Sequence, residues 1–241
     1  MKFVKIYSII FQLIQFTLLP ILIWQGKSVR KKVLKLPEAT GKRFGTIGIG
    51  KNIKILFIGD SSASGVGVNN IEQSLSGGVI KNLKNKYKCT WKIIAKSGVN
   101  TNQLIDLITI EKDEPFSIVI ISVGMNDITS VSTLKLWSKN LKQLESILLK
   151  KFSINYFIYS GMPPVHKLYI LPIPLRYFLS LKALLFDNYL RIKCKNLYNF
   201  EYININKLSS KKNIVATDGF HPNENFYTIW SNKIVQKIKL I

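Results

Sequence analysis

The sequence predicts an α/β fold of three layers, in which helices cover both faces of a mainly parallel, five-stranded sheet. Three observations predict it. Short β-branched apolar runs alternate with longer segments whose apolar residues recur every three or four positions. The first run, Ile53 to Ile58, is apolar at nearly every residue, as a strand covered on both faces must be. Polar, glycine-rich turns follow the runs, at the carboxyl ends of strands where open α/β sheets bind their ligands.

The elements follow in order. Gly59 ends the first strand, and Asn69 and Asn70 are placed to cap a helix whose stripe is Ile71, Leu75, Val79, Leu83 and Tyr87. Trp91 to Ala95 reads as the second strand. The turn Ser97-Gly98-Val99-Asn100-Thr101 then leads into a short helix bearing Leu104, Leu107 and Ile108. Ser117 to Val123 is the third strand, ending in Gly124-Met125-Asn126-Asp127. A long helix is marked by Leu134, Trp137, Leu141, Leu144 and Leu148. Ile154 to Tyr159 is the fourth strand. A proline-punctuated stretch from Leu171 to Leu175 leads into an apolar helix over 177–194, placed to roof part of a site. Tyr202 to Ile205 is the fifth strand, and Phe226, Trp230, Ile234 and Ile238 form the inner face of a last helix.

With 241 residues, 47% of them hydrophobic, the chain is long enough for one sizeable domain and a short appendage. Its net charge is +22, from 35 basic and 13 acidic residues. Such a balance raises nucleic acid or an anionic surface as partner. The four arginines, Arg30, Arg43, Arg176 and Arg191, are scattered, and the lysines do not gather on one helix face, so no nucleic acid is expected. Cys89 and Cys194 lie far apart without metal-ligand spacing and read as two buried thiols. No metal or organic cofactor is suggested.

Residues 6–24 form an uncharged stretch about 28 Å long as a helix, at 1.5 Å per residue. The expectation is an N-terminal membrane anchor within residues 1–25, with a helix lying on the bilayer as the alternative because Gln12, Gln15 and Pro20 interrupt it. Lys2 and Lys5 precede the stretch, whereas Lys27, Arg30, Lys31, Lys32, Lys35, Lys42 and Arg43 follow it. That asymmetry places a single-pass protein's catalytic domain in the cytoplasm, with an extracytoplasmic orientation as the alternative. Residues 26–52 read as a basic linker, and 53–241 as the catalytic domain.

The turn after the first strand reads Gly59-Asp60-Ser61-Ser62. It is not a phosphate-binding loop, because Gly65-Val66-Gly67-Val68 lacks the lysine such loops need. Asn70 stands where a dinucleotide fingerprint requires its third glycine. A serine at a strand end can instead be a nucleophile, provided that a base lies within reach and a third group orients the base. The chain has two histidines, His166 and His221. His221 follows Asp218 by three residues in a turn before the last helix, where the carboxylate can fix the imidazole tautomer. His166, beside Pro163-Pro164, reads as an entrance-loop residue. The remaining requirement is an oxyanion hole, for which Asn126 and the backbone N–H groups of Gly98 and Ser61 are the candidate donors. Asp60 and Asp127 read as braces for their own loops, flanked by Gly59 and Gly124.

These blocks, Gly-Asp-Ser at 59–61, Gly98, Gly-x-Asn-Asp at 124–127 and Asp-x-x-His at 218–221, occur in the order found in the SGNH hydrolases, the GDSL-like lipase/acylhydrolases, which the chain resembles over roughly residues 53–240. The resemblance implies a flavodoxin-like sandwich, a nucleophilic Ser61, oxyanion donors Gly98 and Asn126, a base His221 oriented by Asp218, and no cofactor. Ser62 stands where the family usually has leucine, which leaves the substrate open. The expected function is a serine esterase acting on lipid-like or acylated substrates. The alternatives are a carbohydrate deacetylase or thioesterase of the same fold, or a non-catalytic membrane-associated binding module.

Overall fold

The computed structural model describes residues 18–208 and 214–238. Its centre is a six-stranded sheet of order β1-β3-β2-β4-β5-β6, with β1 Phe44–Ile47, β2 Lys51–Gly59, β3 Tyr87–Ala95, β4 Ile118–Ser122, β5 Tyr156–Ser160 and β6 Phe200–Ile203. All neighbours pair in parallel except β1, which runs antiparallel to β3 on the edge. The count is therefore six strands rather than five. The sixth lies in the basic 26–52 segment, where four residues, three of them exposed, carry too little apolar pattern to announce a strand.

Alternation along β2 builds the layers. Ile53, Ile55 and Phe57 face a core shared with α2 (Leu75–Leu83), the single turn α7 (Ile205–Leu208) and α8 (Glu224–Ile238). Leu56 and Ile58 face the opposite core, made with α3 (Thr101–Thr109), α5 (Leu134–Phe152) and α6 (Leu175–Lys195). A strand with apolar residues on both faces can exist only inside such a sandwich. Register then sets the site. Gly59 pairs with Ala95 on one side and Ser122 on the other, so β2, β3 and β4 end at one level. The turns that follow them converge at the point where the strand order reverses, which is where open α/β sheets bind ligands.

Among the described residues, no helix is long and apolar enough to cross a membrane. This overturns the expectation of a single-pass anchor with the domain assigned to one side. Residues 6–17 of the apolar stretch lie outside the described residues. Residues 18–32 form helix α1, and the apolar side chains that suggested a membrane partner partly serve a protein one: Leu22 is buried in the α6-side core. Gln25, polar and buried, accepts from the Leu175 N–H (3.1 Å) and donates to the Ile173 carbonyl (2.8 Å), fastening α1 to the start of α6. Both cysteines are free, buried thiols, pushed up by burial to about 11 for Cys89 and about 12 for Cys194.

Candidate active site

Ser61 begins the tight turn after β2. Gly59 is required beneath it, because a side chain there would collide with the Ser122 backbone on β4. The turn then closes on itself through Ser64 N–H to Asp60 O (3.0 Å) and Val66 N–H to Ser61 O (2.9 Å). Asp60 is buried and spends its Oδ1 on the Ser62 N–H (3.1 Å) and hydroxyl (2.9 Å). Ser62 Oγ in turn lies 2.7 Å from Ser122 Oγ. Burial pushes Asp60 up to about 6 in spite of these bonds.

His221 arrives from the far end of the chain, on the turn before α8. The Ala216 N–H donates to its carbonyl (2.8 Å), and Tyr227 on α8 donates to the Val66 carbonyl (2.8 Å), tying α8 to the nucleophile turn. Its Nε2 lies 2.9 Å from Ser61 Oγ and its Nδ1 2.5 Å from Asp218 Oδ2. The second carboxylate oxygen of Asp218 accepts from the Phe220 (2.9 Å) and His221 (3.0 Å) N–H groups. Burial alone would raise Asp218, but the His221 side chain and these two N–H groups outweigh it and hold the carboxyl below its usual range. An ionised Asp218 can only accept, so the imidazole carries its proton on Nδ1 and turns the Nε2 lone pair toward Ser61.

Two further turns bring the other two oxyanion-donor candidates, Gly98 and Asn126, to a cavity lined also by Ser61 and His221. Gly98 has φ +83°, a left-handed conformation, although a side chain there would meet open space; glycine is needed for the backbone, not for room. Among the described residues, neither the Ser61 nor the Gly98 N–H has an intramolecular acceptor. Asn126 sits on α4 (Met125–Ile128) and donates one Nδ2 hydrogen to the Val99 carbonyl (2.9 Å), leaving the other available. The Asp127 carboxylate accepts from the Thr101 N–H (3.0 Å) and hydroxyl (2.9 Å), and Trp137 Nε1 donates to that hydroxyl (3.1 Å). Asp127 thus joins the Asn126 turn to the Gly98 turn. Its carboxyl is raised by burial.

Two supports were not visible in the sequence. Glu38 accepts from the Ser97 N–H (2.5 Å), next to Gly98, while Arg43 pairs with Glu38 (2.6 Å) and donates to the Ala95 carbonyl (2.9 Å). Gly67, at φ +102°, lets the nucleophile turn pass against the Pro222 carbonyl. His166 is exposed on a short turn and is not among the residues lining the clefts.

Ser61 and His221 open onto two cavities. One, about 450 Å³, is walled by Met162, Pro163, Leu168, Val215, Phe226 and Trp230. The other, about 1080 Å³, lies between α1, the Asn126 turn and α6, with Leu22, Val29, Ile128, Leu171, Leu175 and Phe178 among its lining. The apolar helix after Leu175 therefore does border the site. Among the described residues, no cluster of side chains suited to a metal ion is present.

A family model described as GDSL-like Lipase/Acylhydrolase matches residues 55–234. No curated protein matches the chain. Solved structures share the fold at low identity. A member of the lipolytic protein G-D-S-L family from Veillonella parvula superposes with TM-score 0.63 at 16% identity, over 78% of this chain and 100% of that one. A lipase/acylhydrolase from Enterococcus faecalis gives 0.54 at 18% identity, over 78% and 95%. A family two carbohydrate esterase from Clostridium thermocellum gives 0.57 at 15%, over 78% and 63%. With the match spanning most of the sandwich, the chain belongs to the GDSL-like lipase/acylhydrolase family, and it is a hydrolase acting on ester bonds.

Proposed function

We propose that the protein is a serine esterase that works through an acyl-enzyme on Ser61. The supporting observation is the chain Ser61 Oγ, His221 Nε2, His221 Nδ1, Asp218 Oδ2, with its 2.9 and 2.5 Å links, beside three donors that share one wall. Ser61 Oγ attacks the ester carbonyl carbon as His221 Nε2 takes its proton. The carbonyl oxygen becomes an oxyanion, met by the Ser61 and Gly98 N–H groups and the free Asn126 Nδ2 hydrogen. One such donor is typically worth about 10²–10³ in kcat. The bond to the leaving oxygen then breaks, and His221 returns the proton to that oxygen. Water repeats the sequence: it attacks the acyl carbon, gives a proton to His221, and the proton passes to Ser61 Oγ as the acid departs. Asp218 stays ionised throughout and fixes the tautomer.

The catalytic unit is residues 53–241, to which the 26–52 segment adds β1 and Glu38. The substrate class is a small or lipid-like acyl ester. The lining of the smaller cavity, where apolar side chains outnumber polar ones, supports an acyl group there over a sugar. A fluorophosphonate probe tests nucleophile activation without a choice of substrate. It labels the wild type and spares Ser61→Ala and His221→Ala; equal labelling of Ser61→Ala refutes the assignment. A panel of esters of graded acyl length then tests the apolar cavity, with kcat/KM expected to rise with chain length before it falls.

A further inference from the structure

The oxyanion side of the site rests on a half-buried cation. Lys182, on α6, donates to the Ser130 carbonyl (2.7 Å) and the Asp127 carbonyl (3.3 Å), and its ammonium lies 5.8 Å from the centre of the Phe186 ring. Phe186 is itself stacked on Trp137 of α5. The two carbonyls belong to the carboxyl end of α4 and the turn after it. A helix of four residues is too short to sustain itself. Its Asp127 carbonyl already accepts from the Ser130 hydroxyl (2.9 Å) and, more weakly, from the Ser130 N–H (3.4 Å), whereas the Ser130 carbonyl beyond it takes the ammonium. A cation at that end fixes the Ser130 carbonyl, adds a longer contact to that of Asp127, and complements the carboxyl end of the helix. The side chains of α4 hold it as well, through the bonds of Asn126 to Val99 and of Asp127 to Thr101. The turn beyond Ser130 has Val131 almost wholly exposed.

We propose that Lys182 is a positioning residue for ester hydrolysis: its ammonium clamps α4 from beneath and keeps the Asn126 amide aimed at the oxyanion. The inference rests on Asn126 being an oxyanion donor, as proposed above. Its reach is through the helix and not to the substrate. Burial lowers Lys182 to about 8, partly offset by the Asp127 carboxylate, which among the described residues is the charged group acting on it from α4. From α6 it is faced by the Phe186 ring, and behind that by the Trp137 ring of α5. The clamp is therefore charged below that pH and loses its charge as pH rises through it. A neutral amine would hold the two carbonyls less tightly.

The test measures kcat and KM across pH for the full-length wild type, Lys182→Met, Lys182→Arg and Asn126→Ala. Expected is a fall in kcat of about tenfold or more for Lys182→Met, with KM little changed, since the loss falls on the transition state. Lys182→Arg restores most of it. The wild type loses kcat as pH rises past about 8, and Lys182→Arg does not lose it over the same range. The inference is overturned if Lys182→Met keeps wild-type kcat while Asn126→Ala is impaired. It is equally overturned if the wild type and Lys182→Arg share one alkaline profile, a result that does not depend on Lys182→Met folding. Full activity of Asn126→Ala would instead remove the oxyanion assignment, and the inference with it.

Discussion

Gly67 on the nucleophile turn and the Pro222 carbonyl, one residue past His221, leave no space between them for a Cβ atom. The two loops that carry Ser61 and His221 are separated by 160 positions in the chain, and this backbone contact helps to set how closely they approach. Gly67 also has φ +102°, so an alanine would be strained as well as crowded. Gly67→Ala is predicted to destabilise the protein by about 1–3 kcal/mol. It should also lower kcat by tenfold or more, on the order expected when reacting groups shift by about 1 Å. Thermal unfolding read beside steady-state kinetics checks both effects. Unchanged kcat would mean that the contact does not set the Ser61–His221 distance.

Asp60 carries a cost that should be visible as a pH dependence. Its carboxyl is raised from 3.8 to about 6 in the folded state, first by burial. Between those values the folded protein holds a proton that the unfolded chain has released, so this group's contribution to stability falls as pH rises through that window. At about 1.36 kcal/mol per pH unit the loss reaches up to about 3 kcal/mol. Asp60→Asn keeps an acceptor for the Ser62 N–H and has no charge to bury. Relative to wild type, it should gain stability as pH rises from about 4 to about 6 and stay ahead at neutral pH. The same carboxylate acts on His221 as a nearby negative charge, so the variant should lose some kcat. Denaturant titrations at a series of pH values decide the point; parallel curves for the two proteins would contradict it.

Glu38 makes the reach of the N-terminal segment testable. Its ion pair with Arg43 is about one-third exposed on both sides and adds little by itself. Its bond to the Ser97 N–H is different, because it fixes the residue before Gly98. Glu38→Gln retains that acceptor and Glu38→Ala does not. Glu38→Ala is predicted to lower kcat by about three- to tenfold with KM nearly unchanged, while Glu38→Gln stays near wild type. Equal losses in the two variants would assign the effect to the Arg43 pair instead.

What the sequence reveals and what it hides divide along physical lines. That Ser61, Gly98, Asn126, Asp218 and His221 would lie together was legible because each belongs to a short block with a distinctive local pattern after a strand or before a helix, and the parallel sheet follows from runs apolar on both faces. Strand β1 was not, because four mostly exposed residues carry no burial signal. The apolar stretch 6–24 was read as a membrane segment, whereas in its described part, 18–24, Leu22 is buried on the α6 side of the fold, next to the Gln25 that bonds to the start of α6; hydropathy measures a need for cover, not what supplies it. Glu38 acts across 59 positions, and Gly67 was noticed only as part of an incomplete nucleotide fingerprint. In a chain with 35 basic residues, nothing local distinguishes Lys182 from the others.

A covalent acyl-enzyme on Ser61 can be trapped by acid-quenching the protein during turnover of an activated ester and mapping any adduct by peptide mass spectrometry. Expected are a burst of released alcohol of one equivalent at most, and the acyl group on the peptide containing Ser61, absent in Ser61→Ala. Turnover without a burst or adduct, or an adduct on another residue that survives Ser61→Ala, would contradict it.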